Sequence, residues 1–203
     1  MRAITLHATW EAFRPLLTVT ATLLVITAVI YPLAVLGVGQ ALFQHEANGS
    51  LVSVDGQTVG SNLIGQQFTE AQYFHPRPSA AGTGYDASSS GGSNLGPASK
   101  TLVDDVQQRV QAFITENDLP PGTKVPVDAV TTSGSGLDPD ISPATAALEV
   151  NRVAKARGAD PAAVQQLVDH YTAQPALGFI GEPRVNVLEL NMALDKGFPV
   201  YKP

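Results

Sequence analysis

The sequence predicts an α+β fold in two parts: one N-terminal transmembrane helix, then a compact α+β domain with a small sheet. Three observations carry this. From Leu16 to Gln44 there is no Asp, Glu, Lys or Arg, and most positions are Leu, Val, Ile, Ala or Thr. Beyond that run, alternating β-formers flank Asp55-Gly56. Further on, apolar residues recur at helical spacing behind Ser, Asp and Asn residues placed as N-caps.

A helix rises about 1.5 Å per residue, so about 20 apolar residues cross a hydrocarbon core of roughly 30 Å. The stretch Leu16 to Phe43 exceeds that length and leaves room for tilt. Pro32, Gly37 and Gly39 lie inside it, which would break a soluble helix but is common in a membrane one. A secretory signal carries an apolar region of only about 7–15 residues before a small-x-small cleavage site. Here the run is longer and Gly37, Gly39 and Ala41 make a poor site, so an uncleaved anchor is expected rather than a signal or a buried core helix. Arg2 and Arg14 precede the run, whereas Glu46, Asp55 and Glu70 are the first charges after it. Basic residues stay on the cytoplasmic side. Residues 1–14 are therefore expected in the cytoplasm, 15–44 in the inner membrane, and 45–203 as a periplasmic domain.

The chain has a formal net charge of −6, and residues 45–203 carry ten basic and seventeen acidic residues. Such a surface does not suit nucleic acid, whose partners present basic patches. With no cysteine, disulfides, zinc–thiolate sites and cysteine nucleophiles are excluded.

In the soluble part, Leu51 to Val54 and Gln57 to Val59 flank Asp55-Gly56 as a β-hairpin, since Gly accepts the positive φ of a type I′ turn. Phe68 to Tyr85 reads as ordered loop around Pro76-Arg77-Pro78, and Ser88 to Pro97 is too rich in Gly and Ser for a regular element. Leu102, Val103, Val106, Val110, Phe113 and Ile114 share one face of a helix over residues 101–117, with Ser99 as N-cap and Pro120-Pro121-Gly122 as stop. Val125 to Val130 alternates like a strand, and Thr132 to Asp140 is a second Gly/Ser loop. Ser142-Pro143 and Asp160-Pro161 each pair an N-cap with proline in the first turn, predicting helices to about Arg157-Gly158 and Tyr171. Val185 reads as a short strand. Asn186 to Glu189 has capping-box spacing for a helix to Asp195, with Gly197 past its end.

Several stretches approach catalytic signatures and miss. Gly96-Pro97-Ala98-Ser99-Lys100-Thr101 ends like a phosphate-binding loop, but Ser99 stands where glycine must precede the lysine. Thr58-Val59-Gly60 begins like a potassium-channel filter and is broken by Ser61-Asn62. Ser135 has Ser133 where a nucleophile elbow needs glycine. His7, His45, His75 and His170 are scattered without ligand spacing. Asp138 and Asp140 alternate as in a calcium loop, yet Ser142-Pro143 stands where the next ligand and the required glycine belong; charge complementing the following helix dipole is the better role. Arg77 and Arg184 each lie beside proline, which holds the guanidinium in a defined direction; it serves either a partner or a salt bridge to a carboxylate such as Glu182 or Asp138.

Five motifs in order then resemble one family. They are Gly60-Ser61-Asn62-Leu63-Ile64-Gly65-Gln66, the run Tyr73 to Ala80, the run Ser90 to Pro97, the run Val130 to Pro139, and the run Gly178 to Leu188. Behind a single anchor, they are similar to the C subunit of the bacterial Kdp potassium-transporting ATPase, over nearly the whole chain. Two local departures are Asp140, where the family usually has His or Asn, and Gly96-Pro97-Ala98-Ser99, where it has Gly-Pro-Thr-Asn.

The resemblance implies a subunit without an active site of its own. Its partners would be a potassium-binding channel-like subunit, a P-type ATPase subunit that hydrolyses ATP, a small single-helix subunit and the lipid membrane, with ATP and K+ handled by the complex. It also implies a role in assembly and stabilisation of the pump, and the family has been proposed to act as a catalytic chaperone raising ATP affinity. A periplasmic domain sits awkwardly with cytoplasmic ATP, so a structural role over the potassium entrance is favoured. A stand-alone tethered ligand-binding module would instead need a deep, mostly apolar pocket, and a hydrolase lacks its motifs. The two Gly/Ser loops are the expected functional surface. Ser93, Asn94, Ser135 and Asp138 are its candidates, with Arg77 and Arg184; the alternative is that Asn94 and Asp138 only tie the loops to the domain.

The charge asymmetry yields a direct expectation. A reporter enzyme fused after Pro203 should be active only if it is of a type that works in the periplasm; activity from a cytoplasmic reporter there would reverse the orientation.

Overall fold

A computed structural model of the chain describes residues 6–200; Arg2, used above for orientation, lies outside them. The chain divides into two compact units, residues 1–50 and residues 51–203.

The first unit is helical: α1 (Leu6–Val25), a π-helical turn (Ile26–Ile30), α2 (Tyr31–Leu42) and the short α3 (Gln44–Ala47). Phe13–Leu42, 30 residues with a mean hydropathy of 2.3, is long and apolar enough to cross a membrane. The π turn has a local cause. Pro32 has no N–H and its ring would strike the carbonyl four residues back, and widening the turn before it relieves that contact. The hydroxyls of Thr18 and Thr27 donate to the carbonyls of Arg14 and Leu23 at 2.9 and 2.7 Å, so neither is left unpaired in an apolar surround. Phe43, with φ −136°, ends the helix just inside the expected boundary.

The second unit is the α+β domain. β1 (Leu51–Val54) and β2 (Gln57–Ser61) form the expected hairpin, with Asp55 and Gly56 both at positive φ and a bulge between Val52 and Ser53. Then follow α4 (Lys100–Glu116), α5 (Val127–Val130), β3 (Asp140–Ile141), α6 (Pro143–Arg157), α7 (Pro161–His170), β4 (Thr172–Ala173), β5 (Arg184–Asn186) and α8 (Val187–Gly197). The sheet is antiparallel in the order β3-β5-β4.

The four N-caps are where the sequence places them. Ser99, Ser142, Asp160 and Asn186 accept from the amides of Leu102, Thr145, Ala162 and Glu189, and Gly158 closes α6 at φ 66°. The capping box at Asn186 is only half made, because the Glu189 carboxylate accepts from Asn62 Nδ2 at 2.7 Å instead. Gly197 is the last helical residue of α8 rather than the one beyond it.

The strand expected over Val125 to Val130 is instead the single helical turn α5. Pro126 caps it, Val127 is 72% exposed, and Asp128 turns inward to accept from the Ser142 amide, the Ser142 hydroxyl and the Thr145 hydroxyl at 2.7–3.0 Å. That carboxylate at the start of α6 suits the helix dipole. The alternation in the sequence did not correspond to a buried face.

Phe74, Val153, Val164, Val168, Val185, Leu190 and Leu194 are fully buried and form the core between α6, α7, α8 and the sheet. Phe74 comes from the long irregular stretch between β2 and α4. A buried irregular backbone must find partners for its polar groups, and side chains supply them. Arg152 Nη1 donates to the carbonyls of Ala71 and Tyr73 at 2.8 and 2.9 Å, and Arg157 Nε donates to Gln72 O at 2.7 Å. Asn191 takes the amide of Phe74 and gives back to its carbonyl at 2.8 and 3.0 Å, and the His75 amide donates to Glu149 at 2.8 Å. Arg152 also pairs with Glu149, and its Nε donates to Asn117 Oδ1 at 2.9 Å.

Burial pushes the Glu149 carboxyl up to about 8, against the opposing pull of Arg152 and the His75 amide. A folded-state value above the unfolded value of 4.5 means that the folded chain holds a proton which the unfolded chain releases. Its stabilising contribution is therefore complete below the unfolded value and is lost as pH rises through the folded one. Glu149→Gln cannot titrate. The stability advantage of the parent over Glu149→Gln, measured by denaturant unfolding of the full chain in detergent micelles, should shrink between pH 5 and pH 8; an advantage that grows over that range would contradict the assignment.

Candidate functional site

The motifs singled out in the sequence converge on one side of the domain. The segment after β2, the Leu137-Asp138-Pro139 turn and β5 with the start of α8 are knit together by main-chain and amide bonds. Gly65 N donates to Leu137 O at 2.8 Å, Asn186 Nδ2 to Asn62 O at 2.9 Å, and Val187 N to Pro139 O at 3.0 Å. Gly65 is required here, since a Cβ on it would lie 2.6 Å from Asp138 O.

Arg77 and Asp138 meet directly at 2.7 Å, the intradomain pair foreseen for one of the two proline-flanked arginines. Asp138 also accepts from the Asp140 amide at 3.1 Å, and the Tyr85 hydroxyl donates to the Arg77 carbonyl. Burial raises the Tyr85 hydroxyl well above its usual range, with Asp138 adding to the effect, so it stays a donor. Arg184 reaches neither Glu182 nor Asp138; its Nε pairs with Asp140 at 2.8 Å, and its side chain is 59% exposed. Asp140 is itself shifted upward by burial, with Arg184 opposing and Asp138 and Glu189 adding. The residue that departs from the family habit is therefore the anchor of Arg184. A shallow groove of about 290 Å³ lies alongside, bordered by Asn62, Leu63, Asp140, Tyr171, Arg184 and Glu189. Its two carboxylates are already paired or hydrogen-bonded.

The two Gly/Ser loops pack on each other. Ser135 O accepts from Gly91 N at 2.9 Å and from the Ser90 hydroxyl at 3.0 Å, while the Ser135 hydroxyl accepts from Leu137 N at 3.1 Å. Ser79 Oγ donates to Gly136 O at 2.6 Å and accepts from Tyr85 N at 2.8 Å. Gly136 sits at φ 66°, and a Cβ there would come within 2.6 Å of Ala81 N and 2.7 Å of Gly91 O. Among the candidates, then, Arg77, Ser135, Asp138 and Arg184 hold the domain's own loops in place. Ser93 and Asn94 are different: both are exposed, Asn94 adopts a left-handed φ of 52°, and among the described residues no side-chain hydrogen bond holds either.

The near-miss motifs resolve as structure. Lys100, in the stretch that ends like a phosphate loop, pairs with Asp104 one turn along α4 at 2.6 Å and is 87% exposed. Among the described residues no group of three or more His, Asp or Glu is placed to hold a metal ion. A groove of about 400 Å³ beside α4 and α6 is lined by Ala71, Glu116, Asn117, Arg152, Lys155 and Ala156, and its Arg152 donors are already committed. Sequence reasoning missed Glu149, Arg152, Arg157 and Asn191, which spacing along their own helices does not distinguish from surface residues.

Close backbone approach sets an expectation for the loops. Gly136→Ala should cost roughly 2–4 kcal/mol, combining left-handed backbone and overpacking. Gly96→Ala, where a Cβ meets nothing, should stay within about 0.5 kcal/mol. Denaturant unfolding of both variants measures the contrast, and equal effects would mean the loops do not pack as described.

Similarity to known proteins covers both units. The sequence profile of the family described as KdpC, "K+-transporting ATPase, c chain", matches residues 13–196. The potassium-transporting ATPase KdpC subunit of Mycobacterium tuberculosis (strain ATCC 25618 / H37Rv) is 56% identical over 182 residues, covering 90% of this chain and 96% of that protein. The subunit of the same name from Caulobacter vibrioides (strain NA1000 / CB15N) is 55% identical over 187 residues, 92% of this chain and 93% of its own length. That of Caulobacter sp. (strain K31) is 53% identical over 189 residues, 93% and 95% respectively.

Proposed function

Because the chain belongs to the KdpC family, the c chain of the K+-transporting ATPase, we propose that it is a non-catalytic subunit that assembles and stabilises an ATP-driven potassium import complex. The single observation that carries this is a match that runs from residue 13 to residue 196, through anchor and domain alike. The span Phe13–Leu42 anchors it in the inner membrane with the N-terminus in the cytoplasm, and the domain from Leu51 onward lies in the periplasm. Its partners are the channel-like potassium-binding subunit, the P-type ATPase subunit and the small single-helix subunit. Potassium passes through the complex, and ATP is hydrolysed on a partner.

The site chemistry agrees with a structural role. Asp138 and Asp140 are paired with Arg77 and Arg184, Glu189 accepts from Asn62, and backbone bonds hold the two loops against each other, which supports a rigid docking surface. On these loops the turn at Ser93-Asn94 presents exposed side chains that no hydrogen bond among the described residues employs, and we assign it to a partner. A preformed turn with free polar groups is a low-entropy contact surface.

Affinity purification of the full chain from a strain that also makes the other subunits tests the reading. The wild-type chain should bring down the channel-like and ATPase subunits with potassium-stimulated ATPase activity. Asn94→Gly keeps the left-handed backbone and removes only the side chain. It should leave the unfolding midpoint unchanged and lower subunit retention; retention equal to wild type would take Asn94 out of the interface.

A further inference from the structure

The connection between β4 and β5 presents large apolar side chains to solvent. Leu177 is 82% exposed, Phe179 77% and Ile180 54%. It is not a loose loop. Ile180 N donates to Ala176 O at 2.9 Å and Ala176 N to Ile180 O at 3.0 Å, while Gly178 N donates to Pro175 O at 2.9 Å. Leu177 is held at φ 55°, Gly178 at 81° and Gly181 at 95°. A bulky leucine in the left-handed region is uncommon, and conformations of this kind cluster at binding elements that a scaffold over-determines. The turn is thus a preformed apolar knob on a hairpin whose base, Arg184, is tied to Asp140.

Three occupants are conceivable, and the chemistry of the turn separates them. Loops that enter a bilayer surface are aided by basic residues facing anionic headgroups. This connection, residues 174–183, carries Glu182 and no Lys or Arg, in a domain whose net charge is −7 over residues 45–203. Two copies meeting in free solution would need a far larger contact. Three such side chains amount to on the order of 400 Å², about half of the ~800 Å² per partner in a standard interface. Confinement to one membrane raises effective concentration and lowers the area needed, for a second copy as for another subunit; the family's description as the c chain of a K+-transporting ATPase is what favours another subunit. Buried aromatic and aliphatic anchors are also what interfaces use for most of their affinity.

We infer that the turn Ala176–Gly181 is a docking knob that seats Leu177 and Phe179 in an apolar socket on the extramembranous face of another integral subunit of the same transporter. This rests on the assembly reading above.

The test uses the full chain co-expressed with the other subunits. The double variant Leu177→Ser/Phe179→Ser should reduce retention of those subunits through a detergent wash about tenfold or more. Val127→Ser, equally exposed on α5, should leave it unchanged. Since the chain has no cysteine, Ile180→Cys also offers a unique position for an environment-sensitive fluorophore. Its emission should move to the blue in the assembled complex and stay water-like when the chain is alone in phosphatidylcholine nanodiscs. Equal retention of wild type and double variant overturns the knob alone. A blue shift in nanodiscs without partners assigns the turn to lipid and overturns the proposal. A blue shift of the isolated chain that grows with its concentration assigns the turn to a second copy and does the same. Failure of the wild-type chain to retain any subunit overturns the assembly reading and the knob with it.

Discussion

The backbone of residues 71–75 is buried without being helix or strand, and everything around it is arranged to satisfy it. Phe74 enters the core at 0% exposure, so its flanking amides and carbonyls leave water with it. An unpaired buried backbone group costs roughly 1–3 kcal/mol. Two arginines and a glutamate of α6 and an asparagine of α8 pair with these groups one by one. Arg157, whose side chain is fully buried, also reaches Phe198 O and Asp195 at 2.9 Å and lies 5.0 Å over the Tyr73 ring. The end of α8, the end of α6 and the irregular stretch are thereby fixed to one another through a single guanidinium.

That constraint positions the family motifs. With residues 71–75 fixed, Pro76 and Pro78 direct Arg77 toward Asp138, and Ser79 crosses to the carbonyl of Gly136. The two Gly/Ser loops then approach so closely that glycine at position 136 becomes a steric requirement. Gly91 N and the Ser90 hydroxyl both donate to Ser135 O across the contact. A domain built this way has loops held against one another by main-chain and side-chain bonds, a rigid surface. Two exposed features stand out: the Ser93-Asn94 turn and the apolar turn between β4 and β5.

Local chemistry was legible in the sequence and long-range chemistry was not. Each N-cap is specified by residues within three positions of it, so Ser99, Ser142, Asp160 and Asn186 could be read directly, as could the Asp55-Gly56 turn. The long apolar N-terminal helix was legible because hydropathy is a sum over a window. The pairing of Arg77 with Asp138 could be foreseen because prolines restrict the arginine. The two-residue strands β3 and β4 are too short to leave a pattern, and α5 imitates alternation while exposing Val127. Glu149 and Arg152 have the i, i+3 spacing of an ordinary solvated helix pair; their burial is decided by a segment some eighty residues earlier in the chain. Spacing along one helix carries no record of that.

Native-state amide hydrogen exchange of the full-length chain addresses the central claim most directly. If residues 71–75 are core, the amides of Phe74 and His75 should exchange only through the same large opening that exposes Leu190 and Leu194 in α8, with the same denaturant dependence. Exchange of Phe74 and His75 through a small local opening, at rates like those of exposed loop amides, would contradict the account and make the irregular stretch a covering rather than the centre of the domain.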